Sequence, residues 1–303
     1  PQERNRVAID IYINEGNTAR IKEVKIIGVT NFDEDDILSR LDLKPTSFMS
    51  WWNKDDRYSR QVLTGDLEKI RSFYMNRGYL DFEIRNTTVS ISETKKNVYI
   101  SIVIDEGDKY QFGDIKISGK FYPLKEESIF QNDIKTIKGE VFSRKLLNES
   151  TESINQELGN YGYAFSNVNP IPDVDKNNLT VGFNYFIEPG KKVYIRRISF
   201  VGNEKTQDKV LRREMRQFES SYYDKEKIDQ STRRLKRTQY FEGVDINTVS
   251  VPGISDQVDL TVAVKEKNTG SVKLGAGASS DEGLVGSFSV TQANFLGTGN
   301  TVS

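Results

Sequence analysis

The chain contains neither cysteine nor histidine among its 303 residues. Those absences remove zinc sites built on thiolate or imidazole, thiol redox chemistry and every nucleophile that relies on a histidine base. Carboxylate-only catalysis and oxygen-ligated calcium survive the exclusion. Long apolar runs are missing too: no stretch approaches the roughly 20 residues of a membrane-crossing helix, and the mean hydropathy is −0.58. No phosphate-cradling G-x-x-x-x-G-K-[ST] loop occurs. Net charge is also small, with 43 Lys and Arg against 44 Asp and Glu, so no global field draws the chain to nucleic acid or an anionic membrane. The opening Pro1-Gln2-Glu3-Arg4 is not a signal peptide, so any targeting segment has been removed or lies upstream. At roughly 150 residues per domain the length predicts about two domains or several smaller ones. We expect a water-exposed globular chain that is not an enzyme, with no catalytic, cofactor-binding or metal-ligating residues.

What is present begins with a change of composition near Asn268. Residues 269–303 hold three charged side chains (Lys273, Asp281 and Glu282) and seven of the 22 glycines. Val272, Leu274, Ala276 and Ala278 alternate with Lys273, Gly275, Gly277 and Ser279, the period of a two-faced strand. Ser280–Gly283 reads as a turn, and Leu284, Gly286, Phe288 and Val290 start a second alternation that ends at Phe295-Leu296-Gly297. Two such strands of roughly ten residues fit either a soluble sheet edge or a hairpin of a transmembrane barrel.

Before the boundary, a unit repeats. Ile21-x-x-Val24-x-Ile26-x-Gly28, Phe112-x-x-Ile115-x-Ile117-x-Gly119 and Ile195-x-x-Ile198-x-Phe200-x-Gly202 place glycines 91 and 83 residues apart, too far for a solenoid and suited to small tandem domains. Acidic-glycine punctuation precedes each, at Glu15-Gly16, Glu106-Gly107 and Glu188-Pro189-Gly190, and Glu266 lies where the composition changes. The three glutamates read as turn punctuation rather than catalytic acids. Within unit one a helix opens at Asp33, and a longer helix carries Leu63, Leu67, Ile70 and Tyr74 on one stripe before Gly78. A hairpin of 82–91 and 97–104 closes the unit. Unit two repeats the pattern with Leu147, Ile154, Leu158 and Tyr161, and unit three with Ile228 and Leu235. Residues 1–15 read as the last strand of an earlier unit. The order β-α-α-β-β gives a small sheet with two helices on one face and open edges, where an extended peptide can add by backbone pairing.

These residues resemble the polypeptide-transport-associated (POTRA) domain family. The third unit carries the resemblance most specifically, in Val210-Leu211-Arg212-Arg213-Glu214-Met215-Arg216-Gln217, Tyr240-Phe241-Glu242-Gly243-Val244 and Val264–Gly270. With Trp51-Trp52-Asn53 and Asn294-Phe295-Leu296-Gly297-Thr298-Gly299, the chain is similar over essentially its whole length to the outer-membrane β-barrel assembly factors of Gram-negative bacteria. The resemblance implies an α+β fold of tandem POTRA domains, three-stranded sheets with two helices on one face, followed by the first strands of a transmembrane β-barrel. Residues 1–20 would end a second POTRA domain, with the third at 21–107, the fourth at 108–190, the fifth at 191–267 and two barrel strands at 268–303. The barrel would continue past Ser303. It implies residence in the cell outer membrane with residues 1–267 in the periplasm, and barrel insertion driven by the folding of the inserted protein. The same units also build protein-translocating pores of the secretion or import type. A pure adaptor with a soluble tail is the third reading.

The resemblance also assigns partners. Val89 and Ile91, on the penultimate strand of unit one, read by themselves as core-facing strand residues; the resemblance has them receive a BamB-like lipoprotein by edge pairing. The region 205–237 carries eleven Lys and Arg against six Asp and Glu. It reads as a solvated helix face, while the resemblance makes Arg212, Arg213, Arg216 and Glu219 a docking site for a BamD-like lipoprotein. No aromatic platform interleaves these charges, so nucleic acid is not an expected partner. Trp51 and Trp52 read as a cluster under a loop or an exposed anchor. Leu274, Gly275 and Gly277 would lie on the barrel's seam strand, in contact with outer-membrane lipid and offering backbone bonds to unfolded outer-membrane β-barrel proteins.

Overall fold

The computed structural model describes residues 19–46, 56–119, 127–279 and 283–303, so the strand read at 1–15 and the Trp51-Trp52 pair lie outside it. By contact the chain parts into two compact units, residues 1–115, 136–148 and 172–183 in one and 116–135, 149–171 and 184–303 in the other, with the boundary running through the second repeat.

The first repeat runs β1 (Arg20–Ile27), α1 (Glu34–Leu38), α2 (Arg60–Met75), β2 (Glu83–Ile91) and β3 (Asn97–Asp105). Its sheet has the order β1-β3-β2, with β1 parallel and β2 antiparallel to the central β3. Val98, Ile100, Ile102 and Ile104 alternate along β3 and point every second side chain into the core. Leu63, Ile70, Phe73 and Tyr74 of α2 meet them there. The Asp33 carboxylate caps α1 by accepting from the Asp35 amide.

The second repeat has β4 (Gln111–Gly119), a 3₁₀ segment (Glu127–Asp133), α3 (Arg144–Asn160), β5 (Asn167–Asp175) and β6 (Thr180–Glu188), in the sheet order β4-β6-β5. The 3₁₀ segment stands where a first helix is expected, and its seven residues exceed the three or four that such a tight i→i+3 ladder usually spans. Tyr161 falls beyond the end of α3 and is exposed, and the inward tyrosine is Tyr163. The third repeat comprises β7 (Tyr194–Val201), α4 (Asp208–Arg212), α5 (Lys225–Arg237), β8 (Phe241–Ser250) and β9 (Gln257–Glu266), again ordered β7-β9-β8. A separate antiparallel sheet follows: β10 (Gly270–Ser279), β11 (Gly283–Phe295) and the short β12 (Asn300–Val302).

Three devices recur. Gly28, Gly119 and Gly202 have positive φ, and a Cβ there would stand 2.3, 2.1 and 2.0 Å from the carbonyl oxygens of Ile104, Ile187 and Val264. Only glycine lets the first strand end against the last. A buried polar residue lies four positions before a core residue on each long helix: Asp66, Ser150 and Ser231. Asp66 accepts the amides of Asp42 and Leu43 at 2.9 and 2.8 Å, and the serine oxygens accept those of Lys135 and Arg216 at 2.8 Å. Each ties the inter-helix loop to the helix. Finally, an asparagine at the end of one long helix caps the next. Asn76 Oδ1 accepts the Lys145 amide at 2.8 Å, and Asn160 Oδ1 accepts the Glu226 amide at 3.0 Å, so successive repeats are joined through otherwise orphaned helix amides.

The helix-ending turn differs in the third repeat. Gly78 and Gly162 take φ of +105° and +99°, whereas the matching residue after α5 is Gln239 at +61°. Left-handed backbone costs a non-glycine residue roughly 1 kcal/mol, and the Gln239 side chain is exposed. Gln239→Gly should therefore stabilise the third repeat by up to about 0.5 kcal/mol after the entropy of the unfolded glycine is counted, read as slower hydrogen exchange across α5 and β8.

Candidate functional site

Placing the last strand in the middle of each sheet makes the first and second strands its edges. The starts of the first strands are covered by the chain's own loops. Ile21 N–H donates to the Asp56 carbonyl at 2.7 Å, Phe112 N–H to Glu140 at 2.8 Å and Ile195 N–H to Ser221 at 2.9 Å. Further along β1 the Glu34 carboxylate accepts the outward Ile26 N–H at 2.7 Å. The expectation of open edges is thus corrected for this side of the sheets: side chains and loops satisfy backbone groups that a partner would need.

On the other side, β2 ends the first sheet and no strand pairs with its outer side among the described residues. Val89 lies opposite Ile100 and packs half-buried on the core, while Ile91, opposite Val98, is 58% exposed at the strand's end. Val89 is thus a core-facing residue on a free edge, and Ile91 extends that apolar row into solvent.

The basic cluster resolves into separate contacts. Arg212 donates to the Ile198 carbonyl at 3.1 Å, stands 3.6 Å from Glu219 and lies over the Phe200 ring at 5.0 Å. Glu219 Oε1 accepts the Ile198 N–H at 2.8 Å. Together the two side chains satisfy both outward backbone groups of Ile198 on β7, across a loop. Arg213 pairs with Glu214 at 3.6 Å, and Arg234 reaches the same carboxylate at 2.8 Å. Arg216 lies beyond α4 rather than on it, because Ser231 captures its amide, and its guanidinium turns back to the Met215 carbonyl. The 217–224 loop is organised by Gln217, fully buried, which donates to Ser221 and to the Tyr222 carbonyl and accepts the Asp224 amide.

In the terminal sheet Leu274 stands opposite Phe288 and Val272 opposite Val290. Their exposures of 80, 70, 63 and 50% make one outward apolar band, the pattern of a lipid-facing strand pair. A Cβ on Gly275 would meet Ser287 Oγ at 2.4 Å, whereas Gly277 faces open space. The side of β10 away from β11 has no strand among the described residues.

The turn after β11 locks this sheet to the third repeat. Asn294 and Leu296 take φ of 53° and 50°, and Gly297 has φ +70°. A Cβ on Gly297 would stand 1.8 Å from the Lys205 carbonyl oxygen. Asn294 Nδ2 donates to Thr206 Oγ1 at 2.8 Å, Gln207 N–H to the Gly297 carbonyl at 3.0 Å and Tyr240 O–H to the Gly299 carbonyl at 3.1 Å. Glu266 holds the receiving loop by accepting the Lys205 and Thr206 amides at 3.0 and 2.7 Å. Beside this joint is a cleft of about 600 Å³ lined by Thr206, Tyr240, Lys267, Gln292, Asn294 and Leu296. Asn294 and Gly297 act here through an Asn-x-x-Gly-x-Gly turn whose docking partner lies far away in sequence.

Glu106 has the same task in the first repeat and is more than punctuation. It is 5% exposed and accepts from the Thr30 amide at 3.0 Å, the Asn31 amide at 3.1 Å and Tyr74 O–H at 2.9 Å, besides the Thr30 hydroxyl and Asn31 amide side chain. Burial pushes its carboxyl pKa up, but the donors outweigh it and hold the group below the usual carboxylate range. The same balance holds Glu266 low. Burial and the Glu106 carboxylate together push the Tyr74 phenol upward. Glu188 is exposed, and Pro189 occupies the buried position in the second repeat, so the acidic signal of that unit has a different role.

Comparison with known proteins matches residues 19–107, 110–190 and 193–267 to the POTRA family, described as a surface antigen variable number repeat. The outer membrane protein assembly factor BamA of Neisseria meningitidis is 34% identical over 99% of this chain and 38% of its own length. That of Buchnera aphidicola is 34% identical over 98% of this chain and 48% of its own length. The chain therefore spans less than half of these two relatives. The crystal structure of Haemophilus influenzae BamA POTRA3-5 superposes with a TM-score of 0.74 at 26% identity, covering 85% of this chain and all of that one. BamA from Haemophilus ducreyi lacking POTRA domains 1-3 gives 0.55 at 33% identity, over 63% of this chain and 36% of that one.

A carboxylate held below its unfolded pKa stabilises the fold fully above that value and ceases to as pH falls through the lowered folded pKa. Glu106 should therefore contribute stability to the first repeat above about pH 4.3, the unfolded glutamate value, and lose it progressively on further acidification. Glu106→Gln should flatten this acid limb in the first repeat alone, measured by hydrogen exchange of the Thr30–Asn31 loop against pH.

Proposed function

The chain belongs to the POTRA family, and from that premise we propose that it forms the periplasmic arm and first membrane strands of a non-enzymatic outer-membrane protein assembly factor. The domains are the third, fourth and fifth POTRA repeats at 21–107, 108–190 and 191–267, followed by barrel strands from 268. Residues 1–267 lie in the periplasm. The observation that carries the reading is the terminal sheet, an apolar band on a glycine-interrupted first strand fastened to the last repeat by the Asn294–Gly299 turn.

In this reading β10 is the seam. A barrel strand entering lipid must have every backbone N–H and C=O paired, and each unpaired group costs several kcal/mol. A first strand whose outer side is available gives an unfolded barrel protein that pairing before its own barrel closes. Gly275 and Gly277 make β10 compliant because they carry no side chain to pack against a neighbour. No nucleotide is needed, since folding of the inserted barrel supplies the driving force. The repeats hold accessory lipoproteins near this seam: a BamB-like protein adds to β2 at Val89 and Ile91, and a BamD-like protein docks on Arg212, Arg213, Arg216 and Glu219. Arginine suits that contact because its fork binds carboxylates through two parallel bonds.

In liposomes, the full-length protein should speed folding of a urea-unfolded barrel client, followed by its heat-dependent gel mobility. Gly275→Val with Gly277→Val should slow it, because the first valine displaces Ser287 and both stiffen β10. No acceleration, with the client appearing instead inside the vesicles, would move the assignment to a translocating pore. Glu219→Lys should reduce co-purification with the BamD-like lipoprotein; unchanged recovery removes Glu219 from that interface.

A further inference from the structure

The three repeats share a topology but not the chemistry of their edges. The first-strand side is closed by the chain itself: at β1 by the Asp56 carbonyl and Glu34, at the start of β4 by Glu140, and at β7 by Ser221 and the Arg212–Glu219 pair on Ile198. The second-strand side is where the repeats differ. β2 (Glu83–Ile91) and β8 (Phe241–Ser250) contain no proline and so present complete rows of donors and acceptors. β5 (Asn167–Asp175) contains Pro170 and Pro172 at its centre.

Those two prolines are two residues apart, so their nitrogens face the same side of the strand. Proline lacks an N–H and persists in a sheet only where that position faces away from the ladder. Both missing donors therefore lie on the outer side of β5, the side an added strand would use, and the two rings occupy the same row. Proline on an edge is a means by which proteins prevent strand addition.

We propose that the edges form a selective set, in which β8, and β2 when the BamB-like lipoprotein is not on it, accept an extended segment of an unfolded outer-membrane barrel protein and β5 refuses it. The inference rests on the proposed handling of unfolded barrel chains and deepens it by naming two ports and one closed edge. The occupant follows from what the ports offer. Asn86-Thr87-Thr88-Val89-Ser90 and Ile246-Asn247-Thr248-Val249-Ser250 are short polar and β-branched rows. Such edges bind main chain and make small demands on the incoming side chains, which suits clients of many sequences. The ports lie in the first and third repeats, and the closed edge lies between them in sequence.

The absence of native cysteine makes this testable by disulfide trapping. Full-length protein carrying Thr88→Cys, Asn169→Cys or Asn247→Cys, on β2, β5 and β8, is mixed in liposomes with a urea-diluted barrel client that has one cysteine in a strand. Crosslinks should form at 88 and 247. At 169 they should be about tenfold fewer, the factor expected for two lost backbone hydrogen bonds. Pro170→Thr with Pro172→Thr should raise crosslinking at 169 to the level of 247. Equal trapping at all three edges in the unsubstituted background overturns the selectivity while leaving edge handling of clients in place. Trapping at 88 alone removes β8 as a port. No trapping anywhere, with client folding still accelerated, overturns both the ports and edge handling but not the insertase reading. A disulfide-linked pair of copies of this chain through 247 assigns β8 to self-association and overturns the client as its occupant.

Discussion

The parallel pairing of the first and last strands, seen in the first and third repeats, constrains everything else in these domains. Ile21–Ile27 lies beside Val98–Val103 in the same direction, and Ile195–Val201 beside Val258–Ala263. Parallel neighbours cannot be joined by a tight hairpin and need a crossover. The two helices are that crossover, and they lie on one face. The remaining strand, arriving antiparallel from the second helix, then finds only the far side of the central strand free. Two edges per repeat follow from this order, one on a strand that enters the domain and one on a strand that has just left the helix. The glycine-to-carbonyl approach at Gly28, Gly119 and Gly202 is what lets the entering strand stay in register up to its last residue.

An edge is a row of backbone groups that must be satisfied by water, by the protein or by a partner. Here the protein satisfies one side of each sheet with its own loops and carboxylates. Arg212 and Glu219 do so on β7. Within the chain they complete the backbone of Ile198; as an ion pair they are also half exposed to solvent. The pair is worth little as an isolated surface salt bridge, so its value lies in the amide and carbonyl it covers.

Periodicity made much of this legible in the sequence. The Leu63, Ile70 and Tyr74 stripe and the alternation of Val98 to Ile104 appear in the structure as read, as do the hairpin strands of the first repeat, because burial imposes periods of 3.6 and 2 on any such sequence. The strand order was not legible, since adjacency of β1 and β3 depends on a crossover that leaves no local mark. Polar residues with long-range tasks were hidden for the same reason. Glu106 resembles a turn residue until Thr30 and Asn31 are seen beneath it, and Asp66 and Ser231 interrupt apolar stripes as though by accident. Tyr161 lies past the end of its helix at Asn160, and Arg216 lies past α4, which stops at Arg212.

The joint between the last repeat and the terminal sheet reuses the same logic with one element added. Glu106 and Glu266 grip equivalent loops, yet only the Glu266 loop receives a further turn, in which Gly297 lies so close to Lys205 that no side chain fits. Asn294 then links Thr206 on one side to the Gly299 amide on the other. The last repeat is thereby joined to β11 and β12 through short, directional bonds, and four of the turn's residues, Asn294, Leu296, Gly297 and Gly299, occupy left-handed backbone. Among the described residues β10 pairs with β11 alone. The strand whose outer side pairs with no other strand among the described residues thus sits beside one whose closing turn is anchored to the last repeat.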